Sequence, residues 1–277
     1  MKDMASAINL NPSVTSSKAQ STIRRLALTG ALGALAVVPA FEGVAHADVL
    51  QRLDQSAGQL EQTFAPTYDY DKDSCYVTAA IDRNGRLNPG LKPGGVNESG
   101  HCHDRAQLDN ANHYSRGKCN NGWCGIVYAN YFEKDQVAAG PAAHRHDWEH
   151  VVVWINQGAN QVQYVSVSQH SGYETRDRSR IRFDGSHPKI VYHKDGPRSH
   201  AFRFANESDD RIENVTGHWF YPWLVDYSRW PSTGLRDTLM NSNFGAATIK
   251  ITDKDDRFKN ALRSSKPGGI PFNPDAN

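Results

Sequence analysis

Along the middle of the chain, apolar and polar residues alternate with the two-residue period of half-buried strands. Over residues 161–168, Val162, Tyr164, Ser166 and Ser168 share one face and Gln163, Val165 and Val167 the other. Strands are also predicted over 125–132, 150–155, 189–193 and 200–205, all rich in β-branched and aromatic residues. The segment Ile155-Asn156-Gln157-Gly158-Ala159-Asn160 supplies a turn between two of them. Helical signals are fewer: 235–241, 255–262, and a short amphipathic stretch over 48–63 carrying Val49, Leu50, Leu53 and Leu60. Residues 83–100 are rich in Gly, Pro and Asn and read as a long surface loop. There is no internal repeat. The pattern predicts one mainly β domain, a sandwich or barrel.

The first 47 residues do not fit that domain. Lys18, Arg24 and Arg25 precede an apolar run from Leu26 to Val38, followed by Pro39 and the small-x-small string Ala45-His46-Ala47. This is the layout of a secretory signal peptide, with cleavage expected after Ala47. The run is shorter than the roughly 20 residues a spanning helix needs. Arg24-Arg25 also admits twin-arginine export. The expected domains are therefore a signal peptide over 1–47 and a secreted domain over 48–277.

Removing Lys2, Lys18, Arg24, Arg25, Asp3 and Glu42 leaves 27 basic and 28 acidic residues, a formal charge of −1. So balanced a chain gives no support for nucleic-acid binding, and any membrane contact must come from a local site. All four cysteines, Cys75, Cys102, Cys119 and Cys124, fall in the secreted part. An even count in an exported chain favours two disulfides, and sequence order suggests Cys75–Cys102 and Cys119–Cys124. A zinc site is the alternative, because His101 and His103 flank Cys102.

The densest chemistry is His144-Arg145-His146-Asp147-Trp148-Glu149, which leads directly into Val151-Val152-Val153-Trp154-Ile155. Asp147 and Glu149 are two apart, so on a strand they share a face and repel. A divalent cation neutralises such a pair, and His144 can join from upstream. An ion-pair network with Arg145 is the competing interpretation. With carboxylates in excess and no Cys nearby, a hard ion, Mg²⁺ or Ca²⁺, suits the donors better than structural zinc.

The segment Ala143-His144-Arg145-His146-Asp147-Trp148-Glu149 resembles the G-H-R-H-D-W-E heptapeptide of the necrosis-inducing Nep1-like proteins, the NPP1 family. Further matching segments follow in family order: Asp73-Ser74-Cys75-Tyr76, Cys119-Asn120-Asn121-Gly122-Trp123-Cys124, Glu133-Lys134-Asp135-Gln136, Ser168-Gln169-His170 and Gly234-Leu235-Arg236-Asp237. The resemblance is strongest to the four-cysteine branch and implies the same two disulfides. It implies a single-domain β-sandwich with outer helices, similar to the actinoporin cytolysins. It also implies a metal site at Asp135, His144, Asp147 and Glu149, bordered by a head-group pocket with Arg145, His146, His170 and His200. Without the resemblance, Asp135 reads as a solvated loop acid and His170 and His200 each as an ordinary surface residue. By strand parity His146 faces away from Asp147, which suits a buttressing role, and Trp148 points to the core. Ala143 stands where the family has Gly, which matters if that position needs a positive φ.

The implied function is a secreted, monomeric, metal-dependent cytolysin without catalysis. Its partners would be plant sphingolipid head groups (glycosyl inositol phosphorylceramides) of eudicot plasma membranes, with sensing by plant immune receptors. Two alternatives differ in class: a secreted metal-dependent hydrolase acting on a lipid or glycan, and a non-toxic surface-binding relative. A last stretch, the aromatic tract His218-Trp219-Phe220-Tyr221-Pro222-Trp223 with Tyr227 and Trp230, suits sugar stacking or a lipid interface, but is more simply explained as core closure.

Overall fold

The computed structural model describes residues 49–137, 142–170, 172–197, 199–221 and 223–276. The expected signal peptide lies outside them. Two sheets form the body. In the larger, β2 (Asn112–Asn120), β3 (Trp123–Asp135), β4 (His144–Asn156), β5 (Gln161–Gln169) and β6 (Gly172–Asp177) run antiparallel in sequence order. The short β10 (Trp223–Asp226) closes the β2 edge in parallel. In the smaller sheet, β8 (His187–Asp195) pairs in parallel with β1 (Thr67–Tyr70) and antiparallel with β7 (Phe183–Asp184) and β9 (Ser199–Phe204).

Alternation along β3 and β4 divides the core. Ile126, Tyr128, Phe132, Val151 and Val153 pack with Tyr70, Tyr192 and Phe202 of the smaller sheet. Val127, Ala129, Tyr131, Val152 and Trp154 face the other way. There they meet Leu239 of α3 (Thr233–Asn241), Phe258 and Leu262 of α4 (Arg257–Ser265), and Phe272. The central strands are thus buried on both faces, which is why the run from Val151 to Ile155 is apolar throughout. The result is the expected mainly β sandwich with outer helices.

The two expected C-terminal helices form close to their predicted bounds. The N-terminal one does not: only α1 (Gln59–Thr63) is helical, while Leu50 and Leu53 enter the core from extended chain. Another short helix, α2 (Arg105–Asp109), follows the irregular segment 83–100. Asn121 and Gly122 take φ of 50° and 77°, the paired positive values of a type I′ hairpin turn between β2 and β3. Cys119 and Cys124 are register partners across that hairpin and are disulfide-bonded, as are Cys75 and Cys102. No cysteine is free among the described residues, so the zinc alternative is excluded.

Candidate functional site

At one end of the sandwich, a cavity of about 230 Å³ is lined by Asp135, His144, Asp147, Glu149, His170 and His200, with Trp148, Ser199 and Lys250. Six predicted residues therefore meet, delivered by four places in the chain. Asp135 is the last residue of β3 and pairs with His144, the first of β4. Asp147 and Glu149 lie further along β4, Ser199 and His200 open β9, and His170 sits in the turn after β5.

Strand alternation alone would put His144 and Asp147 on opposite faces, being three apart. Between them His146 has φ of 62°, and the β3–β4 ladder skips the pair it would form with Glu133. That left-handed residue breaks the alternation without changing the register, so His144 and Asp135 join the two acids at one cavity. His146 itself turns away. Its Nδ1 lies 2.7 Å from the Tyr131 hydroxyl and its ring abuts Phe244. Arg145 also points elsewhere, donating to the carbonyls of Pro89 (2.8 Å) and Gly90 (3.0 Å). The structure thus brings neither Arg145 nor His146 to the cavity wall; both tie the 83–100 loop to β4. Ala143 is not among the residues with positive φ, so its methyl group meets no backbone strain.

The hydrogen bonds orient two histidines. His144 Nδ1 lies 2.7 Å from the His146 carbonyl, which can only accept, so Nδ1 carries a proton, and Nε2 stands 3.8 Å from Asp135 Oδ2. His200 Nδ1 lies 2.9 Å from Asp135 Oδ1, which also accepts from the His200 backbone N–H at 3.0 Å. His200 Nε2 is buried without a partner. Asp147 accepts from the Tyr192 hydroxyl (2.8 Å) and the Trp148 N–H (2.8 Å). Glu149 accepts from the Ser168 hydroxyl, whose oxygen in turn accepts from the His150 N–H at 2.8 Å.

Burial, then repulsion from Asp135, pushes the Asp147 carboxyl up to about 7. Burial also pushes Glu149 well up, with Asp147 and Asp135 adding to it. Tyr192, Ser168, Ser199 and Lys250 were not foreseen as site residues. Tyr192 has the alternation of a core strand, Ser168 and Ser199 are ordinary strand residues, and Lys250 follows no periodic element; only the tertiary fold unites them.

Among the described residues, no three His, Cys, Asp or Glu side chains stand ready to hold an ion. Protein donors, His200 and Tyr192, instead satisfy Asp135 and Asp147. The donor chemistry nevertheless fits a hard divalent cation. Three carboxylates meet at one cavity where Asp135 disfavours the Asp147 charge and both disfavour that of Glu149, His144 Nε2 stands beside Asp135, and His200 Nε2 is a buried orphan. Those residues could hold one.

A mainly β sandwich of this kind is shared by solved structures described as a toxin fold. Residues 58–265 match the profile of the necrosis inducing protein (NPP1) family, and the chain belongs to that family. It is 36% identical over 241 residues to the necrosis-inducing protein NPP1 of Phytophthora nicotianae, spanning 82% of this chain and 92% of that one. A solved toxin fold, described as a basis for microbial attack and plant defense, superposes with a TM-score of 0.67 at 28% identity. The match covers 80% of this chain and 98% of that one. The protein NLPPya in complex with mannosamine matches at TM-score 0.66 and 28% identity, over 79% and 97% of the chains. The non-toxic protein HaNLP3 matches at TM-score 0.66 and 26% identity, over the same shares.

Proposed function

We propose that this protein is a secreted cytolysin whose acidic cavity binds Mg²⁺ or Ca²⁺ and, beside it, the sugar head groups of plant sphingolipids. The carrying observation is the convergence of Asp135, Asp147 and Glu149 on one cavity, in which Asp135 raises the energy of the Asp147 charge and both raise that of Glu149. Such a cluster is costly without a compensating positive charge. A bound cation supplies that charge and open coordination positions for sugar hydroxyls.

The chain's own residues then hold the donors in place. Tyr192 orients Asp147, Ser168 orients Glu149 and His200 orients Asp135. His170, with Nε2 2.9 Å from Asp195 Oδ2, and Ser199 border the space left for a ligand. The amino sugar held by a relative of the same fold supports a glycan ligand here. Among the described residues no helix is long and apolar enough to cross a membrane. On this reading, membrane contact begins at the cavity, through the head group. The target is glycosyl inositol phosphorylceramide at the outer eudicot plasma membrane, and the outcome is necrosis and immune response. The ion acts in binding, and no bond is broken.

A hydrolase is the second reading, favoured by one observation. A carboxyl pushed up to about 7 is suited to general acid–base work. Product released from a lipid or glycan would mark it.

Ion leakage from eudicot leaf tissue tests the first proposal, comparing wild type with a folded Asp147→Ala variant. Leakage from wild type alone, abolished by chelator, is the expected result. No leakage from correctly disulfide-bonded wild type would overturn toxicity and leave a surface binder.

A further inference from the structure

Of the aromatic residues expected to close the core, Trp230 is buried in it with Tyr227 packed alongside, but Trp219 and Tyr221 are not, and neither is part of the acidic cavity. Between them Phe220 packs inward, its N–H donating to the Tyr68 carbonyl (2.8 Å) and its carbonyl accepting from the Tyr68 N–H (3.0 Å). Trp219 and Tyr221 on either side line a second cavity of about 650 Å³, together with Lys189, Asp184, Asp210 and His218. Tyr221 is 45% exposed. Lys189 stands at the opposite end of β8 from Lys194, the register partner of His200. Lys194 lies five residue steps along the strand from Lys189, so the two cavities are about 17 Å apart along β8.

The second cavity is built rather than incidental. The Tyr221 hydroxyl donates to Asp184, and its ring meets that of His187 edge-on at 5.0 Å. His187 is held in turn through Nδ1, 2.8 Å from the Ala65 carbonyl. The Lys189 ammonium sits 5.0 Å from the Trp219 ring centroid. Asn214, anchored on the buried Asp69 carboxylate at 2.7 Å, donates to the His218 carbonyl at 3.0 Å. Arg182 grips Asp210 at 2.6 and 2.8 Å. Two aromatic side chains are thus presented in fixed positions with carboxylates, an ammonium and an imidazole around them.

We propose that this cavity is a second carbohydrate site, one that binds an uncharged mono- or disaccharide. A pyranose offers apolar C–H faces and a rim of hydroxyls, matching aromatic walls edged by donors and acceptors. An acyl chain would strand the charged groups, and an anion would meet Asp184 and Asp210. The volume lies within the range of small-ligand pockets. The proposal stands independently of the ion and the sphingolipid.

The test uses the purified protein labelled with 5-fluorotryptophan, whose six indoles give separate fluorine resonances, with Trp219→Phe assigning Trp219. Cellobiose, lactose, mannobiose and chitobiose are titrated in turn, with phosphatidylcholine vesicles as comparator. The expected result is a saturable shift of the Trp219 resonance by at least one disaccharide, with Kd of order 1 mM. Asp147→Ala should leave that response intact. Saturation transfer to the sugar should weaken about tenfold in both Trp219→Ala and Tyr221→Ala, the loss of one aromatic contact. If no sugar moves Trp219, if both alanine variants retain full transfer, or if only vesicles perturb the resonance, the proposal is wrong.

Discussion

Asp147 shows how a single side chain couples folding to the chemistry of the site. In the folded chain its carboxyl stays protonated up to about 7, against 3.8 as the ordinary value. Between those values the folded state holds the extra proton, so raising the pH removes stability. His146 works in the opposite sense. Burial, with Arg145 and His144 adding to it, lowers it from 6.5 to about 4. In that window the unfolded chain holds the extra proton, and stability rises with pH until about 6.5. Above 6.5 the carboxylates dominate. In chelator, urea melts should therefore show a loss of about 1 kcal/mol from Asp147 between roughly pH 6.5 and 8. Asp147→Asn should flatten that slope, and an unchanged slope would refute the assignment. Gly90 makes a separate residue-scale test. Its φ is 63°, and a Cβ there would come within 2.5 Å of His146 Nδ1. Gly95 has φ of 70° with nothing within 4 Å of an added Cβ. Gly95→Ala should cost about 1 kcal/mol of backbone strain, and Gly90→Ala about 1–3 kcal/mol more through the contact. Equal losses in thermal melts would show that the loop does not press on His146. Ala143→Gly, at a site without positive φ, should change stability by less than about 1 kcal/mol.

Within the elements, Gly125 shows how tightly β3 is packed against α4. A Cβ there would stand 2.7 Å from the Trp154 ring and 2.9 Å from Leu262 Cδ2. Gly125→Ala should cost about 1–3 kcal/mol by overpacking, measurable by denaturant melts, and a neutral result would mean that α4 can move away. The same strands explain what the sequence made legible. β4 and β5 announce themselves because their apolar residues are continuous or strictly alternating. β2 was missed because its buried half carries Asn112, His113 and Ser115, and its outer half Arg116 and Lys118. Asn112 is buried there because the fold supplies partners, bonding the Leu53 N–H and carbonyl from both sides, whereas His113 and Ser115 are buried with no side-chain hydrogen bond. The 48–63 stretch failed as a helix because Leu50 and Leu53 are placed by tertiary packing. At the site, the pairing of Asp147 with Glu149 follows from the two-residue period. The approach of His144 does not, because it depends on the backbone twist at His146. Asp135 is reached only through resemblance, and Tyr192 and Ser168 by neither route, since no local pattern reports which side chains of separate strands meet.

For the whole molecule, the two disulfides carry unequal shares. Cys119–Cys124 spans a separation of 5 across a hairpin whose Asn121-Gly122 turn and ladder already fix its geometry. Cys75–Cys102 spans 27 residues and closes the irregular stretch that contains Gly90. Part of that stretch is anchored by core residues Val77 to Ile81, and its irregular remainder is held to the sandwich by Gln136, Arg145, the Lys194–Glu98 ion pair and the Leu91 N–H to Glu133 carbonyl bond at 2.7 Å. Chain entropy assigns the longer loop roughly 3.5 kcal/mol and the shorter roughly 2 kcal/mol. The hairpin turn persists without its bridge, so the realised gap should be wider. Removing the long bridge by Cys75→Ala with Cys102→Ala should lower Tm by about 10 °C; removing the other pair should lower it by less than half as much. The consequences should also differ in place. Losing the long bridge frees the loop that Arg145 and His146 clasp behind the acidic cavity, so cation binding by calorimetry should weaken along with stability. Losing the hairpin bridge, at the far end of β3, should leave cation affinity unchanged. A reversed order in Tm, or equal losses of affinity, would mean that the 83–100 loop does not brace the site.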